Sequence, residues 1–144
     1  MDTLIKEFQS FWRENSEIWE QKTDYTEAFP HLLLMAFLQR ILNGGGHIER
    51  EYAAGRGRMD LFIEYNEKKY IIEIKLILEK QSPETIKTKG LNQITKYRDT
   101  KAPGASSYLV LFDRREASKS LSWDEKIYWH EEPASGGTVI VAGC

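Results

Sequence analysis

Cysteine is almost absent from this chain of 144 residues, since the only one is Cys144 at the last position. An intramolecular disulfide is therefore excluded, and so is a zinc site built on paired cysteines. The longest apolar run, residues 32–38, is far too short to span a bilayer, and the N-terminus lacks the pattern of a secretory signal. These absences predict a cytoplasmic protein that does not associate with membranes.

The chain also lacks a strong excess of charge of either sign. Twenty Lys and Arg residues stand against 22 Asp and Glu residues, which gives a formal net charge of -2. No global field therefore draws the protein to nucleic acid, and any site for a polyanion must be local. The length and the hydrophobic fraction of 41% predict one globular domain over residues 1–144.

Hydrophobic periodicity predicts an α/β protein with a central strand that helices cover on both faces. An amphipathic helix is expected over residues 2–22, and an apolar helix over 26–43. The remaining predicted elements follow in chain order: strands over 47–52, 60–65 and 70–78, a helix over 83–98 with a glycine in its middle, a strand over 107–112, and a hairpin of 127–130 with 138–142.

Two charged residues, Glu73 and Lys75, interrupt the otherwise apolar third strand on one face. Buried charges cost several kcal/mol unless they are paired or bind a metal ion. Asp60 opens the neighbouring strand, so two carboxylates and an ammonium group could meet at one end of the sheet. Carboxylates, a backbone carbonyl and water suit Mg²⁺ or Mn²⁺, and a lysine beside them can orient the attacking water. The alternatives are a buried ion pair or a strand face that is open to water.

The segments Gly57-Arg58-Met59-Asp60 and Glu73-Ile74-Lys75 resemble the motif of the PD-(D/E)xK phosphodiesterase superfamily, which includes restriction endonucleases, Holliday-junction resolvases and RecB-like exonucleases. Met59 stands where the family name has proline. The resemblance implies a restriction-endonuclease-like core, in which a central mixed sheet is flanked by helices, and a nuclease that uses Mg²⁺ or Mn²⁺, with DNA as the expected nucleic acid. It also implies that Asp60, Glu73 and the backbone carbonyl of Ile74 hold the metal, while Lys75 assists the nucleophile.

A second motif lies on the helix that follows the third strand. Gln93 and Tyr97 resemble the Gln-x-x-x-Tyr motif of the RecB-like branch, which implies a place among the catalytic residues. Residues four apart share one helix face, so both side chains could contact phosphate or orient the lysine. The alternative is that Tyr97 belongs to the core.

Many members of the superfamily carry a further acidic residue on the helix before the strands, and Glu27 is the candidate here. A glutamate in a first helical turn is also favoured by the helix dipole alone. Glu49 and Glu51, on one face of the first strand, are the rival candidates.

Local cations are the candidates for contacts with nucleic acid. Arg56 and Arg58 flank the expected metal end of the sheet, and Lys96 lies on a helix rich in basic residues: Lys87, Lys89, Lys96, Arg98 and Lys101. Phosphate contacts need such groups. The alternative for the helix is an ordinary solvated face.

Wider similarity, in residues 39–46, 48–52, 55–58 and 108–115, is to nuclease-like domains found C-terminal to prokaryotic AAA-type ATPases. An ATPase module in a longer parent protein is therefore an expected partner, although this chain has no Walker phosphate loop. Two alternatives to an enzyme are a catalytically idle module that binds nucleic acid or a partner, and an interaction domain. In the second, the aromatic residues of the first helix would form a homodimer or interdomain surface: Phe8, Phe11, Trp12 and Trp19.

Overall fold

A computed structural model describes residues 1–17, 28–43, 45–54 and 57–144, apart from the side chains at 28, 40, 41, 50–54 and 57–59. The helices and strands follow one another in this order: α1 (Asp2–Glu14), α2 (Ala28–Ile41), β1 (His47–Ala54), β2 (Gly57–Tyr65), β3 (Lys68–Ile77), α3 (Pro83–Lys101), β4 (Ser106–Asp113), α4 (Glu116–Lys119), α5 (Trp123–Lys126), β5 (Trp129–Ala134) and β6 (Gly137–Gly143).

The six strands form one mixed sheet in the order β1-β2-β3-β4-β6-β5. The pairs β3–β4 and β4–β6 are parallel, while the three other pairs are antiparallel. The long helix α3 connects β3 to β4, because parallel neighbours need a crossover connection. The predicted mixed sheet with flanking helices is confirmed.

One face of the sheet is covered by α1 and α2, which build the larger hydrophobic core with it. Phe8 is fully buried and Trp12 nearly so, and the Trp12 ring packs edge-on against Phe112 of β4 at a centroid distance of 4.7 Å. The alternative in which these two aromatic residues form a surface for another protein is therefore wrong, because they fill the core of this chain. Trp19, which was grouped with them, lies outside the described residues.

The other face of the sheet is covered by α3. Ile86 and Ile94 pack against β4 and β6, while Tyr97 packs nearer to β2 and β3. The glycine in the middle of this helix, Gly90, allows a close approach: a Cβ there would lie 2.5 Å from a methyl carbon of Leu109. The glycine therefore serves packing and does not interrupt the helix.

Several predicted boundaries differ from the structure. The first helix ends at Glu14, where the side chain of Asn15 donates a hydrogen bond to the carbonyl of Phe11, so the prediction of one helix over 2–22 is wrong. Strand β5 continues through Pro133, which is tolerated because β5 is an edge strand and its missing N–H breaks no ladder bond. The short helices α4 and α5 were not predicted.

A two-residue turn fixes the register of β2 and β3. Asn66 and Glu67 both have positive φ values, 50° and 61°, which is the requirement of a type I′ hairpin turn. The ladder that starts there ends at the pair Leu61–Ile72, so Asp60 is carried to the neighbourhood of Glu73. Within the described ranges, none of the helices combines the length and the apolar character needed to cross a membrane.

Candidate active site

Three of the predicted site residues lie on the sheet face that α3 covers. Ile71 and Ile77 both pack with α3, and side chains alternate along a strand, so Glu73 and Lys75 between them point to the same face. On β2, Phe62 packs with Tyr97 of α3, and Asp60 two residues earlier shares that face. The structure therefore brings Asp60, Glu73 and Lys75 together.

The carboxylate of Asp60 is held at the point where the β2–β3 ladder stops. Its Oδ2 accepts a hydrogen bond of 2.8 Å from the backbone N–H of Ile74. In an antiparallel ladder the N–H and C=O of one residue point toward the same neighbouring strand. The carbonyl of Ile74 is therefore directed toward the β2 side as well, where the Asp60 carboxylate lies.

Glu73 and Lys75 form an ion pair with unequal exposure. Lys75 Nζ lies 2.6 Å from Glu73 Oε1, and the Glu73 side chain is 0% exposed while that of Lys75 is 26% exposed. The second carboxylate oxygen, Glu73 Oε2, is buried and has no hydrogen-bond partner in the described part of the chain. One oxygen of a buried carboxylate is thus left unsatisfied, which costs free energy.

The surroundings of Glu73 favour its protonated form. Burial raises the pKa of its carboxyl to about 7, and the negative charge of Asp60 acts in the same direction. The hydrogen bond and the positive charge from Lys75 lower the pKa but only partly offset these effects. A second positive charge near Glu73 and Asp60 would therefore stabilise both carboxylates.

These residues fit a divalent cation of the hard, oxygen-preferring type. Two carboxylates, an unsatisfied buried oxygen and a nearby backbone carbonyl are donors of the kind that Mg²⁺ binds. Among the side chains that the structure describes, no group of three or more His, Cys, Asp or Glu residues is arranged to hold a metal ion. Water, the carbonyl or a carboxylate from elsewhere would therefore complete the coordination.

The predicted pair on α3 is also in contact. Gln93 Nε2 donates a hydrogen bond of 2.9 Å to Tyr97 Oη. The ring of Tyr97 is buried among Phe62, Ile71, Ala102 and Ala105, so the alternative of core packing applies to the ring. The hydroxyl, in contrast, is engaged with a polar side chain one turn away.

The three candidates for a further acidic ligand, Glu27, Glu49 and Glu51, differ in what the structure shows of them. Glu27 lies outside the described residues. The side chain of Glu49 contacts His47 Nε2 at 3.1 Å, toward the start of β1. The backbone position of Glu51 lies between Arg50 and Tyr52, which pair with the two neighbours of Asp60, so the register places Glu51 across from Asp60.

The predicted cations fall into different situations. Arg56 lies outside the described residues, as does the side chain of Arg58, whereas Lys96 is exposed on α3. Arg98 of the same helix is buried and donates to the carbonyl of Thr138 at 3.1 Å, so it holds the β5–β6 hairpin. The sequence groups Arg98 with the surface cations because its contact with Thr138 joins distant segments, which local sequence patterns do not show.

A family model of the PD-(D/E)XK nuclease superfamily matches residues 25–110, which is more than half of the chain. The chain belongs to this superfamily. The matched segment contains both motifs that resemble the superfamily, the Asp60 to Lys75 hairpin and the Gln93–Tyr97 pair, and it spans the strands and the helix that build the site.

Comparison with solved structures gives a similarity to SfsA from Pyrococcus furiosus in complex with Ca²⁺. The TM-score is 0.40 at 14% sequence identity, and the match covers 78% of this chain and 61% of that chain. The chain therefore spans about three fifths of the length of SfsA. A search of curated proteins finds no match.

Proposed function

We propose that this member of the PD-(D/E)XK superfamily is a nuclease that uses Mg²⁺ or Mn²⁺ to hydrolyse phosphodiester bonds in nucleic acid, with DNA as the substrate. The observation that carries the proposal is the buried carboxylate of Glu73, which lies beside Asp60. Its Oε1 is 2.6 Å from the Lys75 ammonium, while its Oε2 is unsatisfied within the described residues. A purely structural ion pair would leave Glu73 Oε2 unsatisfied and would not explain why the negative charge of Asp60 lies beside it.

Asp60, Glu73 and the carbonyl of Ile74 would hold the cation. The cation, when bound, offsets the charge that develops on the phosphate and lowers the pKa of a bound water molecule. The ammonium of Lys75 has three donors, of which Glu73 uses one, and its partial exposure leaves the others able to orient water or contact a phosphate oxygen. In this proposal Lys75 is the residue that assists the nucleophile.

Gln93 and Tyr97 support assignment to the RecB-like branch. Their hydrogen bond fixes the amide of Gln93 relative to a buried ring, so the amide is held on the flank of α3 that faces β2. Such an amide can contact phosphate or orient the lysine. Arg56, Arg58 and Lys96 are the proposed contacts to the nucleic acid. Glu27 remains a candidate for a further acidic ligand, with Glu51 favoured by its register.

An AAA-type ATPase module is proposed as a partner in a longer parent protein. A cytoplasmic location is proposed as well, because it suits both a nuclease and an ATPase module. A homodimer also remains a proposal. Its surface would not include Phe8 or Trp12, which are buried in this chain. Co-expression with an ATPase module and light scattering of the isolated chain test these two partners separately.

A cleavage assay with the purified chain tests the proposed activity. With Mn²⁺ present, we expect cutting of single-stranded, double-stranded or branched DNA. Lys75→Ala should lower the rate by about 100-fold or more, since a preorganised charged group beside the reacting phosphate is worth that much. Lys69→Ala is the matched control, because Lys69 lies on the same strand but is exposed near the turn, and its rate should stay at the wild-type value.

Absence of cutting on all three DNA forms, with no difference between the wild type and Lys75→Ala, would contradict the proposed activity. Calorimetry then separates the idle alternative. An idle module would take up no Mn²⁺, whereas the proposed nuclease binds Mn²⁺ through Asp60 and Glu73.

A further inference from the structure

Helix α3 carries five basic residues, and the structure divides them by their partners: Lys87, Lys89, Lys96, Arg98 and Lys101. The Nζ of Lys87 contacts Glu84 at 3.1 Å and Glu132 of β5 at 3.2 Å. The guanidinium of Arg98 is buried against carbonyls of the β5–β6 hairpin. Both groups therefore have internal roles, and they lie on the flank of α3 that faces β5 and β6.

Lys89 and Lys96 differ from these two. Both are exposed, and neither forms an ion pair with any side chain that the structure describes. They are seven residues apart, which is about two helical turns, so they lie on one flank of the helix with Gln93 between them. Thr85, Asn92 and Thr100 of this flank are neutral, while the acidic residue Asp99, seven residues after Asn92, has its carboxylate beside Gly136 of the β5–β6 turn.

This second flank lies beside the candidate active site. Tyr97 packs toward β2 and β3, and its hydrogen bond with Gln93 places the flank on that side of α3. Two residues of strand from Ile71 to Glu73 advance about 6.6 Å, and four residues of helix from Tyr97 back to Gln93 advance about 6 Å. Gly90 packs against Leu109, the register partner of Glu73, so Glu73 is level with the stretch of α3 from Gly90 to Gln93, and the two lysines lie on either side of that stretch.

We propose that Lys89 and Lys96 bind the phosphate backbone of the substrate strand, one phosphate on each side of the bond that is cut. This inference rests on the proposed nuclease function and adds the path of the strand along α3. The two lysines are about 10.5 Å apart along the helix axis, which is about three nucleotide steps of 3.4 Å, so each ammonium meets its own phosphate. In a chain with a net charge of -2, such a local row of cations is what attraction to a polyanion requires.

The salt dependence of DNA binding tests this path. Fluorescence anisotropy of a labelled duplex and of a matching single strand is measured in EDTA, where a metal-dependent cut cannot occur, over a series of salt concentrations. The double variant Lys89→Gln/Lys96→Gln should bind more weakly, and the slope of log K against log salt should fall by about 1.8 for duplex or about 1.4 for single-stranded DNA. The DNA form whose slope falls by the amount expected for it is the one that lies along α3.

The control removes the same charge elsewhere. Lys68→Gln/Lys119→Gln changes two exposed lysines, at the β2–β3 turn and in α4, and should leave the slope at the wild-type value. Thermal melting checks that both double variants are folded. A slope that is unchanged in Lys89→Gln/Lys96→Gln, or reduced equally in the control, overturns the proposed path, as does a wild-type protein that binds neither DNA form. Metal-dependent cutting that is lost in Lys75→Ala would still stand in the first two cases, so failure of the path and failure of the nuclease function are distinguishable.

Discussion

At the scale of single residues, the electrostatics of Glu73 dominate the site. The Glu73 carboxyl is fully buried and lies near the negative charge of Asp60. Its ion-pair partner Lys75 contacts only one of the two carboxylate oxygens, Oε1. The anomaly of two charges in an apolar strand was enough to make Glu73 and Lys75 candidates from the sequence. The hydrogen bond from Ile74 to Asp60 and the unsatisfied Oε2 were not predictable, because both depend on where the β2–β3 ladder ends.

The raised pKa of Glu73 predicts how stability changes with pH in the absence of divalent cations. Between the ordinary value of 4.5 and about 7, the unfolded chain has lost the Glu73 proton while the folded chain retains it. The folded state binds more protons in this range, so the free energy of unfolding falls as pH rises. Relative to Glu73→Gln, which has no proton to lose, the wild type should lose about 3 kcal/mol across this window.

Urea unfolding of both proteins in EDTA, at a series of pH values, measures this difference. Glu131→Gln, in the exposed part of the edge strand β5, is the control and should follow the wild-type curve. Parallel curves for the wild type and Glu73→Gln would show that the buried carboxyl does not hold its proton in the folded state.

At the scale of elements, Gly90 determines how closely α3 packs against the sheet that carries the candidate site. Gly90 lets the helix approach β4 so closely that an added Cβ would overlap the fully buried Leu109. The helix itself was predictable from its proline start and its periodicity. The function of its glycine was not, since a glycine in a helix indicates a close contact only when the neighbouring strand is known. For the same reason the sequence alone does not distinguish Lys87 from Lys89. Glu132, the ion-pair partner of Lys87, lies on the distant strand β5.

Gly90→Ala should therefore destabilise the protein even though alanine is the better helix former. Helix propensity alone would add about 1 kcal/mol of stability, whereas overpacking a buried site costs about 1–3 kcal/mol. We expect a lower melting temperature and reduced DNA cleavage, because the helix must shift together with Gln93. Asn92→Ala, exposed on the same helix, should melt at or slightly above the wild-type temperature, and a Gly90→Ala protein that behaves in the same way would contradict the close approach.

At the scale of the whole molecule, three layers place the candidate site under α3, on the face of the sheet opposite α1 and α2. The order of elements followed from periodicity, since long apolar strands and helices show it clearly, whereas the mixed sheet followed from the resemblance to the superfamily. The short helices α4 and α5 have too few turns to show a period. The insertion of β6 between β4 and β5 depends on contacts between distant segments, and so does the burial of α1 aromatic residues such as Phe8.

The central claim is that Asp60 and Glu73, from two adjacent strands, hold one divalent cation. Anomalous diffraction from crystals soaked in Mn²⁺ tests it most directly. We expect one strong peak within bonding distance of a carboxylate oxygen of each residue, with Lys75 close by. The same map would show whether Glu27, Glu49 or Glu51 supplies a further carboxylate. A map without a peak between Asp60 and Glu73, or with Mn²⁺ bound only elsewhere, would show that the two carboxylates do not share a cation.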